Sequence, residues 1–326
     1  MRMLTLVACL WLATNALDAK IVFRSSRAGE GAEIYTMNSD GSNQIRITDY
    51  PRGAGSPAWS PNGRQIVFTG YTLNDPDSSI WTMDADGTNR RQLIFPPEFA
   101  SYSDWSPDGT QIAFGSIREP QEGKPPKLEI YVMNADGSNV MPVTDVGFAS
   151  RPRWSPDGQW ILFEGIVLDE IRHIYAIQPD GTNMWRVSEP LPETAMYLGG
   201  WSPDGRQIVY AAHFHAKVTH TTMIVASLHL ANQPKVKKRE TIRLPNIPDM
   251  TGSQLVSFGA DGKSLLFSGR IIDNWEIFRF RLDTREVIQL TDAPGSDKQA
   301  REYNPLLPVS PQGLTPMLWG EIKDPQ

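Results

Sequence analysis

Three of the five histidines, His213, His215 and His220, fall close together, and the first two alternate onto one side of a strand. Imidazole nitrogens suit zinc or copper, so this loop is where a metal-ligand pattern is most visible. No carboxylate accompanies them, and exposed or packed histidines are the plainer reading. Asp84-Ala85-Asp86-Gly87 and its relatives have the outline of a calcium loop, but the glycine comes too early and no glutamate closes it. Plain hairpin turns account for them. No cofactor is therefore expected, zinc and calcium being the ions weighed. No Gly-x-Ser-x-Gly elbow, His-Glu-x-x-His, Cys-x-x-Cys or phosphate loop is present, and Cys9 is the only cysteine.

The elements that must position any site are written as a repeat. Trp-Ser-Pro-Asp-Gly begins at Trp105, Trp154 and Trp201, and at Trp59 with Asn62 for the aspartate. Phe258-Gly259-Ala260-Asp261-Gly262 and Val309-Ser310-Pro311-Gln312-Gly313 read as worn copies. The anchors are 46, 49, 47, 57 and 51 residues apart, a period that signals a repeat architecture. Asp-Gly or Asn-Gly between apolar runs is a hairpin signal, because both residues tolerate positive φ. The runs leaving these turns, such as Gln65-Ile66-Val67-Phe68 and Trp160-Ile161-Leu162-Phe163, are β-branched and aromatic, as strands buried on both faces are.

Each unit then carries a second strand of the type Glu33-Ile34-Tyr35-Thr36-Met37, a second turn of the type Asp40-Gly41-Ser42-Asn43, and a short last strand such as Ile45-Arg46-Ile47-Thr48. Four antiparallel strands repeated six times predict an all-β, six-bladed propeller. The combined pattern resembles the WD40-like propeller repeat of the TolB family and covers essentially the whole chain after its first residues. That resemblance implies a six-bladed propeller, commonly periplasmic and commonly a protein-binding scaffold. It covers the propeller and not the separate domain that precedes it in TolB itself, since Ile21-Val22-Phe23 follows the leader directly.

The chain opens on the second strand of a blade. The spacing predicts that a C-terminal strand, around Leu306 to Val309, completes this blade, leaving no open edge; Leu314 to Trp319 is left without an assignment. Both Asp-Gly turns of each unit fall on one face of the ring. The opposite face receives longer, dissimilar connections, at 70–78, 117–127, 190–196, 211–220, 244–251 and 293–303. Variable loops on a rigid scaffold are where binding usually sits. Tyr102, Arg151, Tyr197 and Tyr303, just ahead of anchor strands, are the candidates for contact at the channel mouth.

Arg2, the apolar run Met3 to Ala13 and the small, polar Asn15 to Ala19 read as a secretory signal peptide over 1–19, too short to span a membrane, with the propeller over 20–326. A periplasmic or secreted location follows, and with one cysteine in the leader, stability must come from burial. A net charge of −6 argues against nucleic acid or an anionic membrane as partner. Arg27 with Glu33, Arg118 with Glu129 and Arg270 with Glu276 are present or absent together, which predicts cross-strand ion pairs. Lys235, Lys237, Lys238 and Arg239 read as a solvated hairpin tip. The expected function is an exported, monomeric scaffold binding a protein or a cell-envelope polymer through the variable-loop face. The alternative is a channel-mouth enzyme on the same fold: a metal-dependent lyase, a lactonase or a glycan-active enzyme.

Overall fold

The computed structural model describes residues 20–29, 31–71, 78–94, 99–117, 126–167, 171–189, 194–214, 222–230, 235–244 and 250–303. The leader at 1–19, His215, His220, Arg118, Leu306 to Val309 and Leu314 to Trp319 lie outside the described residues. Among the described residues, twenty-four strands form six four-stranded antiparallel sheets. The first blade contains β1 (Lys20–Ser25), β2 (Glu33–Asn38) and β3 (Ile45–Arg46). The second is β4 (Ala54–Trp59), β5 (Gln65–Gly70), β6 (Ser79–Asp84) and β7 (Arg91–Gln92). The third is β8 (Phe99–Trp105), β9 (Gln111–Ile117), β10 (Glu129–Asn134) and β11 (Met141–Pro142). The fourth is β12 (Ala149–Trp154), β13 (Ile161–Gly165), β14 (His173–Ile177) and β15 (Trp185–Arg186). The fifth is β16 (Thr194–Trp201), β17 (Gln207–Phe214), β18 (Thr222–His229) and β19 (Lys235–Ile242). The sixth is β20 (Met250–Phe258), β21 (Ser264–Ile271), β22 (Asn274–Arg281) and β23 (Val287–Gln289). The last described strand, β24 (Asp297–Tyr303), pairs with β1, so the N- and C-terminal strands share one blade and the ring is closed.

The closing strand comes earlier than its motif suggested. Trp59, Trp105, Trp154, Trp201 and Phe258 pair with Ile66, Ile112, Ile161, Ile208 and Leu265. The equivalent pair in the first blade is Glu302 with Ile21. Glu302 thus holds the sixth anchor position, 44 residues beyond Phe258, and 297–303, expected as loop, is a strand.

The anchors work because each packs on the blade before it. Trp105 joins Val67 and Ile80 of the second blade, and Trp154 joins Ile130 and Val132 of the third. At the seam a polar contact replaces this layer. Glu302 accepts from the nearly buried Arg279 of β22 through two bonds, 2.7 and 3.2 Å long, and from the Ala260 amide at 2.7 Å and the Ser39 hydroxyl.

The turns depart from the predicted hairpin chemistry in one respect. In the anchor turns only the glycines have positive φ, 66° at Gly63 and 72° at Gly109, while the preceding Asn62 or Asp108 acts through its side chain. Asp108 Oδ1 accepts from the Ser106 hydroxyl and the Thr110 amide, and Ser106 Oγ accepts from the Gln111 amide. That network closes a four-residue loop around a type I turn.

The predicted Arg27–Glu33 pair is not formed. Arg27 pairs instead with buried Asp297 of the closing strand, and Glu33 accepts from Thr48 and Arg46. Glu129 and Glu276 likewise accept from Thr144 and Thr291. Each of those threonines takes the amide of the residue after its glutamate, so each glutamate fixes a strand end. Lys235 to Arg239, read as a hairpin tip, belong to β19, an eight-residue outer strand where the first four blades have two-residue ones.

Candidate functional site

The six inner strands converge on a central channel, and each carries a β-bulge just before its anchor. The register breaks fall between Gly55 and Ala58, Ser101 and Asp104, Ser150 and Arg153, Leu198 and Gly200, Gln254 and Ser257, and Lys298 and Arg301. Bulges re-aim side chains and are over-represented beside functional sites. In five of the blades the bulge places a non-glycine residue in the left-handed region: Ser56 (φ 51°), Tyr102 (56°), Arg151 (55°), Leu255 (54°) and Gln299 (60°). That conformation costs free energy and persists where surrounding structure imposes it.

The consequence is two stacked rings in the channel wall. Ser56, Tyr102, Arg151, Leu198, Leu255 and Gln299 form a narrow throat with a cavity of about 30 Å³. One step closer to the anchors, Asp104, Arg153, Gly200, Ser257 and Arg301 line a wider cavity of about 250 Å³, which opens at the end bearing the Trp-Ser-Pro segments.

The channel's charges are partly paired. Arg301 reaches Asp104 at 2.5 Å across the second blade, and Asp104 Oδ2 accepts the Trp154 amide at 2.9 Å. Glu164 on β13 is fully buried; it pairs with Arg151 at 3.5 Å and Arg172 at 3.1 Å and accepts the Leu198 amide at 2.9 Å. Burial pushes the Asp104 and Glu164 carboxyls up, against the pull of their arginines. Arg151 also lies over the Tyr102 ring, 4.8 Å from its centroid, which fixes both side chains at the throat.

Of the residues singled out from sequence, Tyr102 and Arg151 meet in the throat. Tyr197 sits in β16 under the Arg172 guanidinium, 5.1 Å from its ring centroid, and is not among the throat residues. Tyr303 lies at the seam, its ring 6.0 Å from that of Trp59 and against the backbone of Gly63. It fills the place that Pro61, Pro107, Pro156 and Pro203 fill beside the turn glycine of the next blade. His213 is in β17, paired with Ala195. Among the described residues no cluster of three His, Cys, Asp or Glu side chains could hold a metal, and no helix is long and apolar enough to cross a membrane.

Reading the sequence for motifs missed Asp104, Arg153, Glu164 and Arg301. The first two stand immediately before Trp105 and Trp154, so aligning the repeats on their anchors would have placed them in one ring. Arg301 was hidden because its anchor is a glutamate.

Comparison with known proteins agrees with this architecture. TolB from Acinetobacter baumannii superposes with a TM-score of 0.69 at 17% identity, over 88% of this chain and 67% of that one. Oligogalacturonate lyase from Vibrio parahaemolyticus gives 0.55 at 13% identity, over 83% and 73%; at such identities the likeness is one of fold. A Bacillus subtilis (strain 168) protein named as the uncharacterized peptidase YuxL is 39% identical over 49 residues, 15% of this chain and only 8% of that protein's length. The model of the TolB beta propeller domain matches residues 14–241, and with its six closed blades this chain belongs to that family.

Proposed function

We propose that this protein is an exported binding scaffold that holds a protein partner or a cell-envelope polymer at the channel mouth on its variable-loop face. The throat carries this reading: one repeated backbone, bulged six times, presents serine, tyrosine, arginine, two leucines and glutamine at equivalent places. Repetition makes the frame rigid, and dissimilar side chains on it supply recognition. Tyr102 and Arg151 are the groups offered for contact, tyrosine and arginine being the residue types that dominate binding energy at interfaces. The channel carboxylates Asp104 and Glu302, and Glu164 behind the throat, are already held by arginines, which favours binding over proton transfer at this place. Export rests on the signal-peptide character of 1–19, and a periplasmic setting accords with the family resemblance.

A photo-crosslinking residue at Gln299, in the throat, tests this against one at Asp180, on an exposed turn of the other face. In an extract of the native cell envelope the first is expected to trap a discrete partner that the second does not, with the adduct diminished by Arg151→Ala. Identical adducts from both positions would refute the assignment.

A further inference from the structure

The wider cavity is lined by two guanidiniums, Arg153 and Arg301, and by the carboxylates of Asp104 and Glu302, and Glu302 is already committed to Arg279. Of its two guanidiniums, Arg301 is satisfied by Asp104. Arg153 is not: its Nη1 donates to the Pro152 carbonyl at 2.6 Å, its Nε is buried without a partner, and no carboxylate pairs with it among the described residues. In a chain of net charge −6, an arginine kept without an acid at a channel wall costs stability unless something else meets it. The space over it is held open. A Cβ placed on Gly200 would meet the Arg153 side chain at 4.0 Å and nothing else, so in this blade the ring position carries no side chain to fill the cavity.

The groups around Arg153 narrow the chemistry. A guanidinium fork binds carboxylate bidentately. Asp104 Oδ1 and Oδ2 each accept one bond from the protein and retain lone pairs that can take hydroxyl donors. Trp154, Trp201 and Phe258 contribute apolar wall. A volume of about 250 Å³ is below the usual size of a drug-like site and suits a single sugar-sized ring.

We infer that the turn-side cavity is a binding site for a small hydroxylated carboxylate of the sugar-acid type. Arg153 takes the carboxylate and Asp104, oriented by Arg301, takes hydroxyls. The free acid and the end of an acidic polysaccharide share this chemistry. The site lies on the opposite side of the throat from the proposed partner surface, so either can fail without the other.

The test is calorimetric titration and thermal unfolding of the full mature chain with galacturonate, oligogalacturonate, neutral galactose and sulfate. Galacturonate or oligogalacturonate is expected to bind and to raise Tm by about 2 °C at ten times its Kd, with galactose inert; the tighter of the two tells free acid from polymer end. Arg153→Gln is expected to weaken binding at least about tenfold without lowering the unliganded Tm, since it breaks no ion pair and removes an unpaired charge. Arg153→Lys, which keeps charge and stem but loses the fork, gives an intermediate loss and serves if the glutamine variant does not fold. The inference is overturned if neither uronate binds, if binding survives Arg153→Gln undiminished, or if sulfate binds as well as galacturonate.

Discussion

Replacing Glu302 with alanine removes the side chain that ties the closing strand to the sixth blade and strands its partner. Arg279 is 9% exposed and Glu302 1%, so the pair is screened by protein rather than water. Taking one member from a buried pair costs about 3–5 kcal/mol, most of it the penalty on the charge left behind. Arg279 would keep three neutral acceptors, the Ser39 carbonyl and hydroxyl at 3.0 Å each and the Ser264 hydroxyl at 2.9 Å, which argues for the lower end, about 3 kcal/mol. With an unfolding entropy of roughly 2.1 cal/mol/K per residue over about 280 residues, that lowers Tm by about 5 °C. The molecule itself supplies the control. In the fourth blade the anchor Trp154 packs against Val132, the position equivalent to Arg279, so Glu302→Trp with Arg279→Val should rebuild the seam as an ordinary apolar one. The double variant is expected to recover most of the lost Tm, as apolar replacements of buried ion pairs do. Differential scanning calorimetry gives the Tm values, and hydrogen exchange of the β1 and β24 amides shows whether the loss is at the seam. A Glu302→Ala variant within 1 °C of wild type, or a double variant no better than the single, would refute the latch.

Other variants probe the remaining layers. Gly63→Ala should cost roughly 2 kcal/mol and Gly109→Ala about 1 kcal/mol by denaturant unfolding: both incur left-handed strain, but only at Gly63 does the new Cβ fall 2.5 Å from the Tyr303 ring, against 3.8 Å from Pro61 at Gly109. Trp154→Ala should destabilise by about 3–5 kcal/mol by the same measurement, the usual cost of emptying a large aromatic site. Burial raises Glu276 to about 7 from an ordinary 4.5, so the folded state retains a proton that the unfolded state has lost between those values. Stability from this group is therefore present below about pH 4.5 and lost as pH rises through 7. Tm should be higher at pH 5 than at pH 8, and Glu276→Gln should flatten that slope. Further acidification acts oppositely, because hydrogen bonds from Ser42, Thr88, Ser138 and Thr182 hold the turn carboxyls of Asp40, Asp86, Asp136 and Asp180 below their usual range.

The sequence made the blades legible wherever a repeat was copied faithfully and failed where one position changed together with its neighbour. Glu302-Tyr303-Asn304-Pro305 shares almost nothing with Trp-Ser-Pro-Asp-Gly, whereas Val309-Ser310-Pro311-Gln312-Gly313 imitates it. Yet Glu302 is the residue in register, because its apolar contact on the preceding blade has become Arg279. The same rule explains the misread Arg27–Glu33 pair. Glu33, Glu129 and Glu276 each have a threonine 15 residues downstream, and His173 has Ser188 at that distance. This is a hydroxyl-acceptor pair across adjacent strand ends, and its regular offset was as visible as the arginines. Tyr102 and Arg151 were reachable because the anchor fixes the bulge three residues before it. The cavity was not, because its ring is defined only when all six anchors are known, and Arg301 depends on the one that lacks an aromatic residue. In a closed ring of copies, side chains that depart from the repeat either seal the seam or face the channel. Arg279 and Glu302 answer each other across the seam, and so belong to closure; Arg153 has no answering carboxylate among the described residues, which makes it the departure that points to a ligand.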